Sequence, residues 1–562
     1  MNKPAEGQGS PRKNGLAVAF RDKLPQAVLA ACFMLCPLLL SGCAQMQGWA
    51  HNKFKVGPNY FKPAVPVAEN WIDFNDRRVI SDPEIDWAWW QVFGDQSLDS
   101  LVQSSYQENL TVRTAGLRVL EAQAQRAYAV GNLFPQAQDV TGSYKHLQLS
   151  EAGNAAGVAP TSRSFDLWNV GAGLSWELDI WGKFRRRIEQ QDAQLDREVE
   201  KYDDVLLLTL AETSLAYVDL REAQQRTRLA EHNVRLQQET LRIAEERFES
   251  GTVRKLDVTM ARSNLSETQA IVPLLNAQAR QANNRLCLLT GQPPRDLTQE
   301  LGQASIPQAP PSVVLGIPAD LVRRRPDIRA SEREVARRSA DIGIATADLF
   351  PEFSIDGSLG WTASQVPDLF TPAAFGGIAG PSFRWRILNY GRIQNNIRAK
   401  DASFQQAAVE YQHTVLRAQE EVESALTHFL NAQARTKELS DAVKASEESL
   451  ELLTTLYKEG KEGLTPLFLM ERLLVRQQDE LAGSQAEIAR SLIRVYKALG
   501  GGWEIRLGGP SPIYMEVIES PDGETIDPIR LPRVDNTGDP ASVLPVHVLD
   551  NSTTATTRRT TS

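Results

Sequence analysis

The segment Trp176-Glu-Leu-Asp-Ile-Trp-Gly182-Lys183 occurs a second time as Trp385-Arg-Ile-Leu-Asn-Tyr-Gly391-Arg392. Each copy closes an alternating stretch with Trp, turns on a glycine, and enters a run free of Pro and Gly. The first run lasts to Gly251 and the second to Gly460, about 68 residues each. At 1.5 Å per residue that is roughly 100 Å of helix. An ordinary globular helix has about 11–12 residues. Helices of this length span a distance; they do not enclose one compact core.

The residues upstream of each copy predict strands. In the first half a helix over about Leu98–Gly131 ends at Leu133-Phe-Pro135, where Pro disfavours continuation. Period-two stretches follow, Gln138, Val140, Gly142, Tyr144, His146 and then Trp168, Val170, Ala172, Leu174, Trp176, joined by a Gly/Ala/Ser-rich loop over 149–163. Two strands of about 10 residues have the dimensions of a transmembrane β-hairpin. The second half repeats the order: a helix from about Asp320 to Leu349-Phe-Pro351, strands around Phe353–Trp361 and Ile378–Ile387, then the long run. Helices over about Leu256–Leu289 and onward to Leu499 follow the turns at Gly251 and Gly460.

The landmarks indicate an internal two-fold repeat. Trp176 to Trp385, Gly182 to Gly391, Gly251 to Gly460 and Gly291 to Gly500 are each 209 residues apart. The Leu-Phe-Pro pair is 216 apart, so the strand loop is about seven residues longer in the first half. The second long helix carries apolar or small residues at 393, 397, 404, 408, 411, 415, 418, 422, 425, 429, 432, 439, 443, 450, 453 and 457, a coiled-coil seam. Four strands per chain are too few to close a barrel, for which about eight is the practical minimum. The chain must therefore associate, and a trimer supplies twelve strands. The expected class is an α+β membrane protein.

The N-terminus reads as an address. Five basic residues, Lys3 to Lys23, precede an apolar run, Ala27–Leu40, and Leu40-Ser-Gly-Cys43. This is a secretory signal, too short to span a bilayer. The expected organisation is a signal over 1–42, an arm over 43–97, a first repeat over 98–291, a Pro-rich linker over 292–318, a second repeat over 319–503 and a polar, disordered tail over 504–562.

Composition excludes several classes. The net charge of −9 argues against nucleic acid as partner. Three of the four cysteines lie within the first 43 residues, so the body has no disulfide framework and no zinc spacing, and Cys287 reads as a small apolar helix residue. With six His, no phosphate-binding glycine loop and no nucleophile constellation, no enzyme activity and no cofactor are expected. Gly171-Ala-Gly173 precedes no helix start and reads as a strand glycine pair.

These features resemble the TolC-like outer-membrane efflux family, in its NodT-type lipoprotein branch. The resembling residues are Leu40-Ser-Gly-Cys43, Val56-Gly-Pro-Asn-Tyr60, Phe93-Gly-Asp95, Trp176 to Gly182, Phe248-Glu-Ser-Gly-Thr-Val-Arg-Lys-Leu-Asp-Val258, Arg324-Arg-Pro-Asp-Ile328 and Ala345 to Pro351. The resemblance implies a homotrimer with a twelve-stranded outer-membrane β-barrel continuous with a periplasmic α-helical coiled-coil barrel. It implies a lipid on Cys43 (diacylglycerol and an N-acyl chain), outer-membrane lipid around the strands, a periplasmic membrane-fusion adaptor, and an inner-membrane pump of the resistance-nodulation-division type. The function implied is passive export of small toxic compounds.

By the same resemblance, the closed periplasmic tip falls at the two helix turns. Gly251, Thr252 and Gly460 are the expected adaptor contacts, and Asp257, Arg254, Tyr457 and Glu462 the gate candidates. For Asp257 a helix-terminal carboxylate role is equally open. The second turn departs from relatives with an acidic pore ring: it reads Leu464-Thr-Pro-Leu-Phe-Leu-Met470, which favours an apolar constriction. Three other readings compete: a type I protein-secretion channel, a structural coiled-coil lipoprotein and a lipid-anchored enzyme. The paired hairpins argue against the tether, the missing site against the enzyme, and the lipobox against protein secretion.

Overall fold

The structure is a computed structural model, and it describes residues 49–81, 88–148 and 164–508. The signal, Cys43, the loop over 149–163 and the tail from 509 lie outside the described residues. The chain divides into two units, Met1–Ile505 and Arg506–Ser562. All the described strands and long helices belong to the first unit.

A short strand β1 (Val79–Ser81) and a 3₁₀ turn (Trp89–Phe93) lead into α1 (Gln96–Glu108) and α2 (Leu110–Gly131). Strands β2 (Ala137–Gln148) and β3 (Ser164–Glu177) precede α3 (Lys183–Glu249) and α4 (Lys255–Leu289). After β4 (Val313–Leu315) come α5 (Pro326–Ala347), β5 (Glu352–Ala363), β6 (Phe375–Arg384), α6 (Arg392–Lys458) and α7 (Leu464–Leu499). The two long helices are 67 residues each. No helix among the described residues is long and apolar enough to cross a membrane.

The four long strands form one antiparallel sheet in the order β2-β3-β5-β6, so the two hairpins meet along β3 and β5. Gly171 faces Gly360 across that junction. A Cβ on Gly360 would lie 2.5 Å from the Val170 carbonyl oxygen, so only glycine permits this approach. Strand-end tryptophans tie the sheet to the helices in both halves. Trp176 Nε1 donates to the Leu133 carbonyl at 3.1 Å, and Trp385 Nε1 to the Leu349 carbonyl at 3.0 Å. These bonds account for Leu-Phe-Pro standing beside each hairpin.

Local chemistry moved several expected boundaries. The single helix expected over Leu98–Gly131 breaks at Asn109, whose side chain caps α2 by accepting from the Thr111 and Val112 N–H groups. The same amide donates to the Leu289 carbonyl, so the break is locked to the end of α4. β6 starts and ends three residues before its expected range. The 292–318 stretch, read as linker alone, contributes β4, which pairs in parallel with β1. Three residues are too few for a periodic signal. Nine of the sixteen seam positions of α6 are buried, from Tyr411 to Tyr457, whereas those at 393, 397, 404 and 408 are not.

The arm runs extended along α6. Ala68 N–H donates to Gln419, Ile72 N–H to Glu423, and Arg78 to the Leu430 carbonyl. Trp71 Nε1 closes on the Gly316 carbonyl, fixing the arm beside β4.

Candidate functional site: the helix-turn tip and the sheet faces

Both helix turns are built alike. Gly251 and Gly460 each sit at φ 77°, in the left-handed region that glycine adopts without Cβ strain. Thr252 N–H bonds the Arg247 carbonyl and Gly251 N–H the Phe248 carbonyl, both at 2.9 Å. Lys461 N–H bonds the Leu456 carbonyl at 2.9 Å and Gly460 N–H the Tyr457 carbonyl at 3.0 Å. This Schellman pairing satisfies the last carbonyls of α3 and α6 and reverses each chain in a few residues.

The sequence-derived gate residues separate into two groups. Asp257 and Tyr457 are brought close enough that the Asp257 charge acts on the Tyr457 phenol. Arg254 and Glu462 are exposed at the turns. Asp257 Oδ2 accepts from the Arg254 N–H at 3.0 Å and so caps α4. Tyr457 is 1 % exposed, packed among Ala244, Val258, Ala261, Leu464 and Leu467. Among the described residues its buried hydroxyl has no hydrogen-bond partner, and burial pushes its pKa up.

Sequence reasoning missed the groups that join the two helical hairpins. Arg247 of α3 lies 4.9 Å over the Tyr457 ring and donates to the Tyr457 carbonyl at 2.7 Å. Further from the turns, α3 and α7 run antiparallel and pair at heptad intervals. Thr240 Oγ1 donates to Glu471 at 2.7 Å, and Asn233 Nδ2 to Gln478 at 2.8 Å. Next come matched charges, Arg226 with Asp479 and Arg490 with Asp219 and Glu222.

Glu471 differs from its neighbours in this ladder. It is 6 % exposed and accepts from Thr240 and, at 2.8 Å, from Asn264 of α4, two neutral donors. Burial outweighs both bonds and holds its carboxyl above the usual range. The signal was present in sequence: Leu464, Leu467, Glu471, Leu474, Gln478 and Ala482 share one helix face, with two polar residues at core positions.

The sheet presents two chemically different faces. Alternation and register put Val140, Tyr144, Trp168, Val170, Leu174, Leu359, Trp361, Phe375 and Phe383 on one side. The other side carries Asp139, Thr141, Ser143, Asn169, Ser175, Asp356, Ser358, Thr362 and Ser382, interleaved with Gly171, Gly173, Gly360 and Gly380. On that polar face Asp356 accepts from Ser175 and Ser382 on the adjacent strands. The expectation that Gly171 and Gly173 are strand glycines agrees with β3.

On the apolar face, toward the loop end, His146 stands between Asp166 (2.7 Å) and Ser164 (3.1 Å). The imidazole is 56 % and the carboxylate 45 % exposed, so this Ser–His–Asp order lacks the desolvated setting that activates a nucleophile. Among the described residues no cluster of His, Cys, Asp and Glu is arranged to hold a metal ion.

Comparison with known proteins agrees with this architecture. A family model described as outer membrane efflux protein matches residues 101–292 and 317–501. Nodulation protein T of Rhizobium leguminosarum bv. trifolii is 31 % identical over 83 % of this chain and 96 % of its own length. The pyoverdine export outer membrane protein OpmQ of Pseudomonas putida is 30 % identical over 75 % and 89 %. The solved structure of the outer-membrane channel OprN superposes with a TM-score of 0.74 at 32 % identity, covering 80 % of this chain and 99 % of that one. With two long helices turning at matched tips below an apolar-faced sheet, the chain belongs to the outer membrane efflux protein family, as a channel protein of the outer membrane that extends into the periplasm.

Proposed function

We propose that three copies of this chain close a twelve-stranded barrel over a tube of long helices, forming a passive duct for small toxic compounds. The observation that carries this reading is the four-stranded sheet. It has one apolar and one polar face, and its strands feed directly into helices of 67 residues. In a lipid setting, a sheet avoids unpaired backbone only by closing on itself. The apolar face then meets lipid and the Gly/Ser/Asp face lines a wet lumen. The two halves act as an internal repeat, each supplying a hairpin and one full-length stave.

In this reading Cys43 carries the diacylglycerol and N-acyl chains, and a periplasmic adaptor engages the turns at Gly251, Thr252 and Gly460. An inner-membrane pump of the resistance-nodulation-division type supplies the substrate. Asp257, Arg254, Tyr457 and Glu462 make up the resting gate, with Tyr457 and the leucines around it as the apolar constriction. Pyoverdine export by a 30 % identical relative supports a small-molecule cargo.

The test is susceptibility to a panel of drugs, dyes and metals after deletion of the gene, with complementation. Increased sensitivity restored by the wild-type chain is expected. Unchanged sensitivity across the panel, with a secreted protein retained in the cell, would replace this reading with protein secretion.

A further inference from the structure

Between the sheet and the tip, α3, α5 and α6 line a cavity of 480 Å³ that has no part in either. Arg197 and Lys201 reach it from α3, Glu334 and Arg338 from α5, and Gln406 and Glu410 from α6. The arm identifies which side of the helical wall this is. Tyr60 and Lys62 of the arm hold Glu332 of α5, and the arm backbone holds Gln412 and Gln419 of α6. At about 100° per residue, Glu334 and Arg338 stand opposite Glu332, and Gln406 and Glu410 opposite Gln412 and Gln419. The described arm starts at Trp49, 5.4 Å from Trp181 and six residues after Cys43. A lipid on Cys43 must reach bilayer outside the barrel, so the arm marks the outer face and the cavity faces the lumen.

The charges around the cavity are not balanced. Glu334 accepts from Arg337 Nε and Nη2 at 2.8 Å and from Arg338 Nε at 2.7 Å, and Arg197 Nε lies 3.5 Å away. Burial by itself raises this carboxyl, but the Arg337 bonds and the guanidinium charges around it pull it down to about 2. Glu334 is thus an anion already claimed by three cations. Asp341 lies 3.7 Å from Arg337 and 4.0 Å from Arg338. Three guanidinium groups against two carboxylates leave one positive charge, in a chain whose net charge is −9. Lys201 with Glu198 and Arg417 with Glu410 cancel as pairs.

Hydrogen-bond donors are also left over. Among the described residues Arg197 makes ion pairs at 3.5 and 3.8 Å but no hydrogen bond. Arg338 commits its Nε to Glu334 and neither terminal nitrogen to any hydrogen bond. The two side chains are 29 % and 34 % exposed and flank the same carboxylate. The hydroxyls of Ser331, Ser403 and Thr414, by contrast, spend their protons on carbonyls of their own helices.

We propose that this cavity is a transit site for carboxylate-bearing small molecules passing through the duct, held by Arg197 and Arg338 with the Gln406 amide as a further donor. A guanidinium meets a carboxylate with two parallel N–H bonds, which suits these two residues to the task. A cation has no equivalent anchor, since both carboxylates lining the cavity are already paired. The site is open to solvent and holds its anion weakly, as conduction requires of any stop along a pore.

The direction of the site rests on the duct reading, and two measurements separate them. Citrate is titrated calorimetrically into the full-length lipidated protein in detergent, and is added to the same protein in planar bilayers. Both are done at about 0.1 M salt, where screening acts over about 10 Å. Wild type is expected to bind citrate and to lose conductance as citrate is added. Arg197→Ala, which breaks no hydrogen bond, should raise the dissociation constant and the half-blocking concentration about tenfold, the loss of one charge-assisted bond. Arg197→Lys keeps the charge without the fork and should fall between. Lys62→Ala removes a positive charge from the opposite face and should match wild type. No citrate binding by wild type, or equal weakening by Lys62→Ala and Arg197→Ala, overturns the site. Binding that depends on Arg197 while citrate leaves conductance unchanged overturns its role in transit. Binding that depends on Arg197 in a protein that never conducts keeps the anion site and overturns the duct.

Discussion

The guanidinium of Arg247 lies 4.9 Å over the ring of Tyr457 and hydrogen-bonds the Tyr457 carbonyl at 2.7 Å. One side chain of the first hairpin thus holds both the ring and the backbone of the last turn of α6. It acts at the negative C-terminal end of α6, on a carbonyl that also accepts from the Gly460 N–H. Arg247→Ala should cost about 1–3 kcal/mol at the tip, from the cation–π contact and a charge-assisted bond. Conductance in planar bilayers should rise, while thermal dissociation of the proposed trimer changes little. Arg247→Lys keeps a positive charge but not the planar fork, and should fall between. Equal conductance in all three proteins would show that the Arg247–Tyr457 contact plays no part in the proposed gate.

Glu471 gives a pH dependence with a definite sign. Its folded pKa is raised by burial, so the folded protein holds this proton more tightly than the unfolded chain. The associated stability is present at pH values below the ordinary carboxylate range and is lost as pH rises through the raised folded value. Glu471→Gln should therefore raise the melting temperature of the helical region at pH 7.5 and have little effect at pH 4. It keeps an acceptor for Asn264 and removes the buried charge. Circular dichroism melts at the two pH values check this; destabilisation at pH 7.5 would show that the carboxylate is needed as an anion.

The tryptophan bonds predict a symmetric pair of effects. Trp176→Phe and Trp385→Phe each remove an indole N–H from a Leu carbonyl between sheet and helix. Each should lower stability by about 0.5–1.5 kcal/mol, the net worth of one hydrogen bond, with the half-exposed Trp385 at the lower end. The sites share no partner, so the double variant should show the sum. Thermal dissociation of the four proteins measures it, and a marked departure from additivity would mean that the two corners are mechanically linked.

The two long helices were legible because their signal is long. An uninterrupted Pro/Gly-free run and a fixed 209-residue spacing cannot be mistaken for local propensity. The turns were legible through Gly251 and Gly460, where a left-handed residue is required. Features set by contacts between distant segments were not. β4 is three residues pairing with a strand more than 200 positions away, and Asn109 interrupts a helical pattern because it bonds the end of α4. At the tip, Asp257 and Tyr457 stood out by type and position. Arg247 looked like any surface arginine of a charged helix, since its partner lies 210 residues on. The half-buried N-terminal seam of α6 is the clearest case of a pattern that one chain alone does not satisfy. Ile393, Ile397 and Phe404 carry the apolar period, yet in the proposed trimer their cover belongs to another copy.

The proposed duct has a lumen that runs through three chains and is closed at the tip. Its most direct test is single-channel recording of the lipidated trimer in planar bilayers, wild type beside Asp257→Ala. Asp257 caps α4 next to Tyr457, so its loss should loosen the proposed constriction and leave the sheet untouched. Discrete ohmic steps are expected from both proteins, several-fold larger for the variant. Intact trimers that give no steps in either form would contradict the duct.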